Sequence, residues 1–315
     1  MAPTRQWAAP LALLLACAPA AAQQVAPHAT VVYAVGAEPT LPVPVLAAND
    51  EANIDVSDQL FLHLVTFAPG GNVTGDHALL PSLARSWRRI DPLTLVFEID
   101  PRARWQDGVP VTAHDVIYTW RLITNPRLGG DQSRFESVAS VDSVGPRDVR
   151  VRFKRPSPEQ VYVFGFLVQP VPAHLLEHMS PDAIGASNFV AHPIGDGPFR
   201  FERRVPGQFV ELRADSTFFL GKPTIYRIIF RYVEDPAARL NLFLTGETDV
   251  LDNIPLPALA QIRNDPDARL VDVASNNLLY FLFNTRSPSD TSKPNPLFDD
   301  IQVRRALALA LDRST

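Results

Sequence analysis

The stretch from His192 to Phe201 reads HPIGDGPFRF, and no regular element can run through it. Pro193 and Pro198 each fix φ near −65° and lack a backbone N–H. Gly195 and Gly197 add conformations closed to other residues, including positive φ. The segment is a stiff, compact turn. Beyond it Phe199 and Phe201 alternate with Arg200 and Glu202, the period of a half-buried strand. On these residues alone it is a tight loop entering a strand; the flanking chain gives it more weight.

The 315 residues are 46% hydrophobic and 20% charged, with 30 prolines and 15 glycines. That much apolar content with that much proline predicts stiff connections and long ordered loops, with chain enough for two domains. The net charge of −5 and the absence of any basic block or basic-aromatic stripe argue against nucleic acid as a partner. At the N-terminus, Arg5, the apolar run Trp7 to Ala16 and Ala20-Ala21-Ala22 form the three regions of an export signal. A signal peptide over residues 1–22 is expected, cleaved before Gln23. Cys17 is the only cysteine, and Leu14-Leu15-Ala16-Cys17 resembles a lipobox in which Leu15 fits poorly, so a lipoprotein anchored at Cys17 is the alternative. No later apolar run approaches the ~18 residues of a membrane span.

Along the chain, Ala29 to Val35 reads as a first buried strand and Gly36 to Pro44 as a Pro-rich loop. Leu60, Phe61, Leu64 and Val65 have helical spacing within Asp58 to Phe67. Pro81-Ser82 can open a short helix presenting Leu83 and Trp87, and Leu93 to Ile99 alternates as a strand. Thr112 and Asp115 are spaced as a capping box opening a helix whose buried face is Val116, Trp120 and Ile123. Trp105 and Trp120 read as core. Val141–Val144, the turn Gly145 to Asp148 and Val149–Phe153 form a hairpin. Strands are expected within Phe201–Leu212, Ile225–Val233 and Leu278–Phe283, a helix over Asp235–Thr245, and a loop from Ser287 to Pro296. From Asp300 a helix carries Val303, Ala306, Leu307, Ala310 and Leu311 on one stripe. That stripe is still open at Thr315, and the expectation is a chain that continues.

Catalytic patterns are few. There is no G-x-S-x-G, and Pro223 after Gly221-Lys222 excludes a P-loop. His174-Leu175-Leu176-Glu177-His178 fits H-x-x-E-H, the inverted zinc-protease motif, with the two histidines one helical turn apart. A zinc site needs a third ligand, and nothing downstream announces one. The alternative to an exported zinc metallohydrolase is a short surface helix with partly solvated histidines.

Five ordered segments resemble one family: LLPSLARSW with LTLVFEI; WQDGVPVTAHDVIYTW; VPAHLL; HPIGDGPFRF with FFLGKPTIYRIIFRYVEDPAARLNLFLTGETDV; and FLFN leading to FDDIQVRRALALALDR. The chain is similar to the family 5 extracellular solute-binding proteins of peptide and nickel ABC importers, from about Leu79 onward. Two positions depart from the family pattern: Asp196 stands where a small hydroxyl residue is usual, and Phe218-Phe219 where a Tyr-Trp pair is common. The resemblance implies an α/β fold of the periplasmic binding protein type II kind, with two lobes and the second mostly missing. Its first lobe would be discontinuous, over 23–52 and 179–275, with an inserted subdomain over 53–178 and the start of the second lobe at 276–315. It implies a periplasmic, monomeric, non-enzymatic protein without cofactor or resident metal. Such a protein would bind a short peptide, or another small solute such as a nickel chelate, and deliver it to the permease subunits of an ABC transporter. Ligand contacts carried over are Glu38, Pro39 and Thr40 in the loop after the first strand, Phe135 in the subdomain, and Asn276 and Asn277 near the crossing. A carboxylate for the peptide amine would lie beyond Thr315.

Overall fold

The computed structural model describes residues 29–40, 42–47, 50–68, 76–128, 132–271 and 280–311. The signal segment, Asn276 and Asn277 lie outside them. The described residues fall into two compact units, one ending at Leu270 and the other starting at Val271.

The first unit opens on β1 (Thr30–Val35), then the short α1 (Pro44–Ala47) and α2 (Glu51–Leu60). The Asp50 carboxylate caps α2 by accepting the Asn53 N–H at 3.1 Å. Helical spacing within Asp58–Phe67 predicts a helix there, but α2 stops at Leu60. The next residues turn into β2 (Val65–Phe67), which pairs with β3 (Leu79–Pro81). Helix is likewise expected after Pro81, yet β4 (Ala84–Asp91) is a strand, paired antiparallel with β5 (Thr94–Ile99). Leu83 and Trp87 satisfy both spacings, and pairing with Leu95, Val96 and Phe97 decides between them.

Helix α3 (Ala113–Ile123) starts where the capping box predicts. Asp115 accepts the Thr112 N–H at 2.8 Å and hydroxyl at 3.0 Å. Its other oxygen accepts the Ala173 N–H at 2.9 Å, and Thr119 Oγ1 accepts the Val171 N–H at 2.8 Å. The strap 171–173 is therefore fastened along α3 by two buried side chains. Val116 is buried on this helix, while Trp120 is half-buried, edge-on to Phe135 at 5.5 Å. Strands β6 (Val138–Ser143) and β7 (Asp148–Phe153) form the expected hairpin and complete a four-stranded sheet, β4-β5-β7-β6. Three short helices follow: α4 (Ala173–Leu176), α5 (Pro181–Ile184) and α6 (Asn188–Ala191).

The return turn 192–198 leads into a second sheet. The span 201–212 lies in two strands, β8 (Phe199–Val205) and β9 (Phe209–Ala214), and β10 (Arg227–Tyr232) follows. Sheet order is β1-β10-β9-β8, with β1 parallel to β10 and the other pairs antiparallel. Helix α7 (Pro236–Leu244) then returns the chain to the far side of β1. There Tyr33 makes a parallel bridge to Val250, and Asp249 accepts the Val32 N–H at 2.7 Å. Helix α8 (Leu256–Arg263) closes this unit.

Positive φ is not what the glycines of the return turn supply. Among the described residues it occurs at Gly108, Gly207, Gly221, Gly246 and Asn253, and not at Gly195 or Gly197. These two are needed for space. A Cβ on Gly195 would lie 1.8 Å from the Leu60 carbonyl oxygen, and one on Gly197 would lie 2.6 Å from that of Gln59.

In the second unit a strand is expected over Leu278–Phe283, but residues 280–283 form none, and 278–279 lie outside the described residues. Arg286 bridges Pro294 across the expected loop. Helix α9 (Ile301–Leu309) is capped by Asp300, which accepts the Gln302 N–H at 2.7 Å, and none of its residues is buried.

Candidate functional site

In open sheets containing parallel strands, ligands gather where the carboxyl ends of the strands release their loops. Here those ends belong to β1, β10 and the extended piece at Val250. The loops 36–40, 233–235 and 251–253 leave from them, and the N-terminus of α2 points to the same place. They enclose a cleft of about 240 Å³ that includes Gly36, Asp50, Glu51, Asp55, Arg239, Asp252 and Asn253.

Carboxylates dominate this cleft. Tyr33 lies beside Asp252 and Asp55. Burial, with the charges of Asp55 and Asp252, pushes its phenol well above the ordinary tyrosine range. Burial also pushes the Asp55 carboxyl up to about 6, with like charges at Glu51, Asp252 and Asp58 adding to the effect. The cation present is already committed: Arg239 Nη1 donates to the Val233 and Glu234 carbonyls at 2.8 and 2.9 Å. Gly36 lies against this guanidinium, where a Cβ would come within 2.9 Å of Nη1. The arrangement offers acceptors to a cationic or hydrogen-bond-donating group.

The loop after β1 carries Glu38, Pro39 and Thr40. Glu38 accepts the Gly207 N–H at 3.0 Å and is ion-paired with Arg204, contacts that hold its carboxyl below the usual range, Gly207 first. It ties the loop to the β8–β9 turn. Pro39 is buried, and Thr40 is exposed with its N–H donated to Asn53 at 2.8 Å. Thr40 reaches a second cleft of about 540 Å³, walled by Pro42, Val190, His192, Phe201 and Pro206. A third, of about 280 Å³, lies at the seam between the two four-stranded sheets and includes Gln106, Asp196, Arg200 and Phe219. Phe135 is 7% exposed, packed in the core against Trp120, and lines none of these three clefts. Tyr33, Asp55, Arg239 and Asp252 escape a reading of the sequence. The one local signal is the i, i+4 pair Glu51 and Asp55 on the face of α2.

The H-x-x-E-H segment makes no metal site. Helix α4 ends at Leu176, so Glu177 caps it and His178 lies beyond. His174 Nε2 pairs with Asp107 at 2.7 Å and Glu177 with His114 Nε2 at 2.8 Å, fastening α4 to the head of α3. Among the described residues, no three His, Cys, Asp or Glu side chains are grouped to hold a metal, and no helix is long and apolar enough to cross a membrane.

Residues 78–315 match the sequence profile of the bacterial extracellular solute-binding proteins, family 5 middle. A Brucella ovis protein named as an ABC transporter peptide-binding protein is 30% identical over 245 residues, which are 77% of this chain and 43% of that one. The oligopeptide-binding protein AppA of Bacillus subtilis is 27% identical over 290 residues, 90% of this chain and 50% of that one. Among solved structures, NikZ of Campylobacter jejuni in complex with Ni(L-His) superposes with a TM-score of 0.63 at 27% identity, over 75% of this chain and 45% of that one. The chain thus spans about half the length of the curated relatives it matches.

Proposed function

The chain belongs to the family 5 bacterial extracellular solute-binding proteins, and from that premise we propose that it is the substrate-binding component of an ABC importer, taking short peptides and handing them to a membrane permease. The fold is the α/β fold of type II periplasmic binding proteins, of which the chain covers under half. Members of the family are binding components of transporters and not enzymes. The observation that carries the peptide reading is the acceptor-rich face at the carboxyl ends of β1 and β10. It brings together Asp50, Glu51, Asp55 and Asp252, and the proposal adds the neighbouring loop through Glu38, Pro39 and Thr40 as ligand contacts. An extended peptide brings an amine and a row of backbone N–H groups, which such a face can accept. Asn276 and Asn277 belong to this proposal as ligand contacts near the crossing; Phe135, expected as a ligand contact, is buried against Trp120 instead.

The organisation that goes with this reading has a signal peptide at 1–22, first-lobe segments at 23–52 and 179–275, a subdomain at 53–178 and a second lobe beginning at 276. The mature protein is periplasmic and monomeric, and Cys17 is its lipid anchor if cleavage precedes it. A second reading, a nickel chelate or similar small solute, is favoured by the likeness to NikZ in complex with Ni(L-His). Calorimetry on the full-length protein separates the two. A mixed library of short peptides is expected to give saturable heat, and nickel-histidine none. Heat from nickel-histidine with silence from the library overturns the peptide assignment.

A further inference from the structure

The return turn hides an acid. Asp196 is 2% exposed, between two glycines that press on the carbonyls of Gln59 and Leu60. Its Oδ1 accepts the Leu62 N–H at 2.9 Å, while Oδ2 is buried without a hydrogen-bond partner. Gly197 N–H donates to the Leu60 carbonyl at 2.8 Å, so turn and helix end are locked at adjacent points. The same turn closes the seam between the two sheets. Gln106 N–H donates to the Gly195 carbonyl at 2.8 Å, Gln106 Nε2 to the Phe199 carbonyl at 2.7 Å, and Arg200 Nη1 to the Gln106 carbonyl at 2.8 Å.

No charge around Asp196 answers it. Arg200 is paired with Asp215 at 2.9 Å, and Arg102 with Asp100 at 2.8 Å. Arg104 donates to the Gly108 carbonyl, and Asp107 is paired with His174. Asp115, at the head of α3, adds a like charge. Beside Leu62, His63 is paired with Asp58 at 3.3 Å, and His192 lies edge-on to Phe201. Among the described residues, no cation is within ion-pair reach of Asp196.

We propose that Asp196 is an acid-tightened latch: protonated, it seats the return turn in the Leu60–Leu62 corner, and rising pH eases the opening of that seam. Burial pushes its carboxyl up to about 8. An opened turn exposes the carboxyl to water, where it titrates near ~3.9. Opening then releases a proton at every pH between these values. Its equilibrium constant grows by up to about tenfold per unit from roughly pH 4 to pH 8 and levels off above.

Hydrogen exchange on the whole protein tests this, with the rates at Leu62 and Gly197 converted to opening constants by removing the intrinsic pH dependence. Between pH 5 and pH 7 the parent is expected to gain at least tenfold in opening, against Asp196→Asn and Asp196→Thr, whose profiles stay flat. Two substitutions of different shape are used so that a packing defect in one does not decide the result. Equal slopes in the parent and in whichever variants fold overturn the proposal. So does a flat profile in the parent itself.

Discussion

Asp55 and Asp196 are both carboxyls raised by burial, but they differ in what surrounds them. Asp55 is half-buried, lies beside Tyr33 and lines an open cleft. Its folded ionisation, at about 6, lies above the usual value. The stability it contributes is therefore complete below about pH 4 and is lost as pH rises through 6. Asp55→Asn should match the parent at pH 4 and exceed it at pH 8. The shift alone would give up to ~3 kcal/mol, and solvent screening at a half-open site reduces this to about 1 kcal/mol. Urea melts at the two pH values read the difference, and an equal effect at both would show that packing, not charge, governs the site. The grouping of Tyr33 and Asp55 with Asp252 is not written in any window of sequence, because Asp252 lies 219 positions from Tyr33 and 197 from Asp55. Asp196 is visible as a departure from the family's small hydroxyl, but only the packing around it reveals a buried oxygen without a partner.

Among the elements, those fixed by neighbours in sequence are legible and those fixed by partners in space are not. Thr112 and Asp115 announce α3 because the cap is a three-residue contact. Val141 to Phe153 announces its hairpin because the turn chemistry is local. Trp87 misleads, since a helix and a strand could both bury it and only β5 decides. The glycines of the return turn are legible as a turn, but their physical need is contact with the end of α2. Gly195→Ala must push its Cβ away from the Leu60 backbone and should cost more than ~3 kcal/mol. Gly185→Ala, in α-helical backbone with open space around it, should stay within about 0.5 kcal/mol of the parent. Thermal melts of the pair check this contrast, and comparable losses at both positions would mean the corner yields more easily than its geometry implies.

At the scale of the molecule, the two four-stranded sheets of the first unit are joined at Gln106, which uses its backbone, its amide nitrogen and its side-chain oxygen across one seam. Gln106→Ala removes the side-chain bonds and leaves the Phe199 carbonyl without its donor, a loss of about 2–3 kcal/mol. For a unit of this size that is roughly 5–10 °C in melting temperature. Differential scanning calorimetry should show one transition moved down by that amount, since buried residues of both sheets belong to one hydrophobic core; an unshifted peak would place the coupling elsewhere. The parallel pairing of β1 with β10 has a consequence in time. Thr30 aligns with Arg227, so the first strand to leave the ribosome waits roughly 200 residues for its neighbour. At about 5–20 residues per second the wait is roughly 10–40 s, during which β1 is an apolar ribbon with nothing to pair. For that interval the sheet stays open, until the arrival of Arg227–Tyr232 closes it.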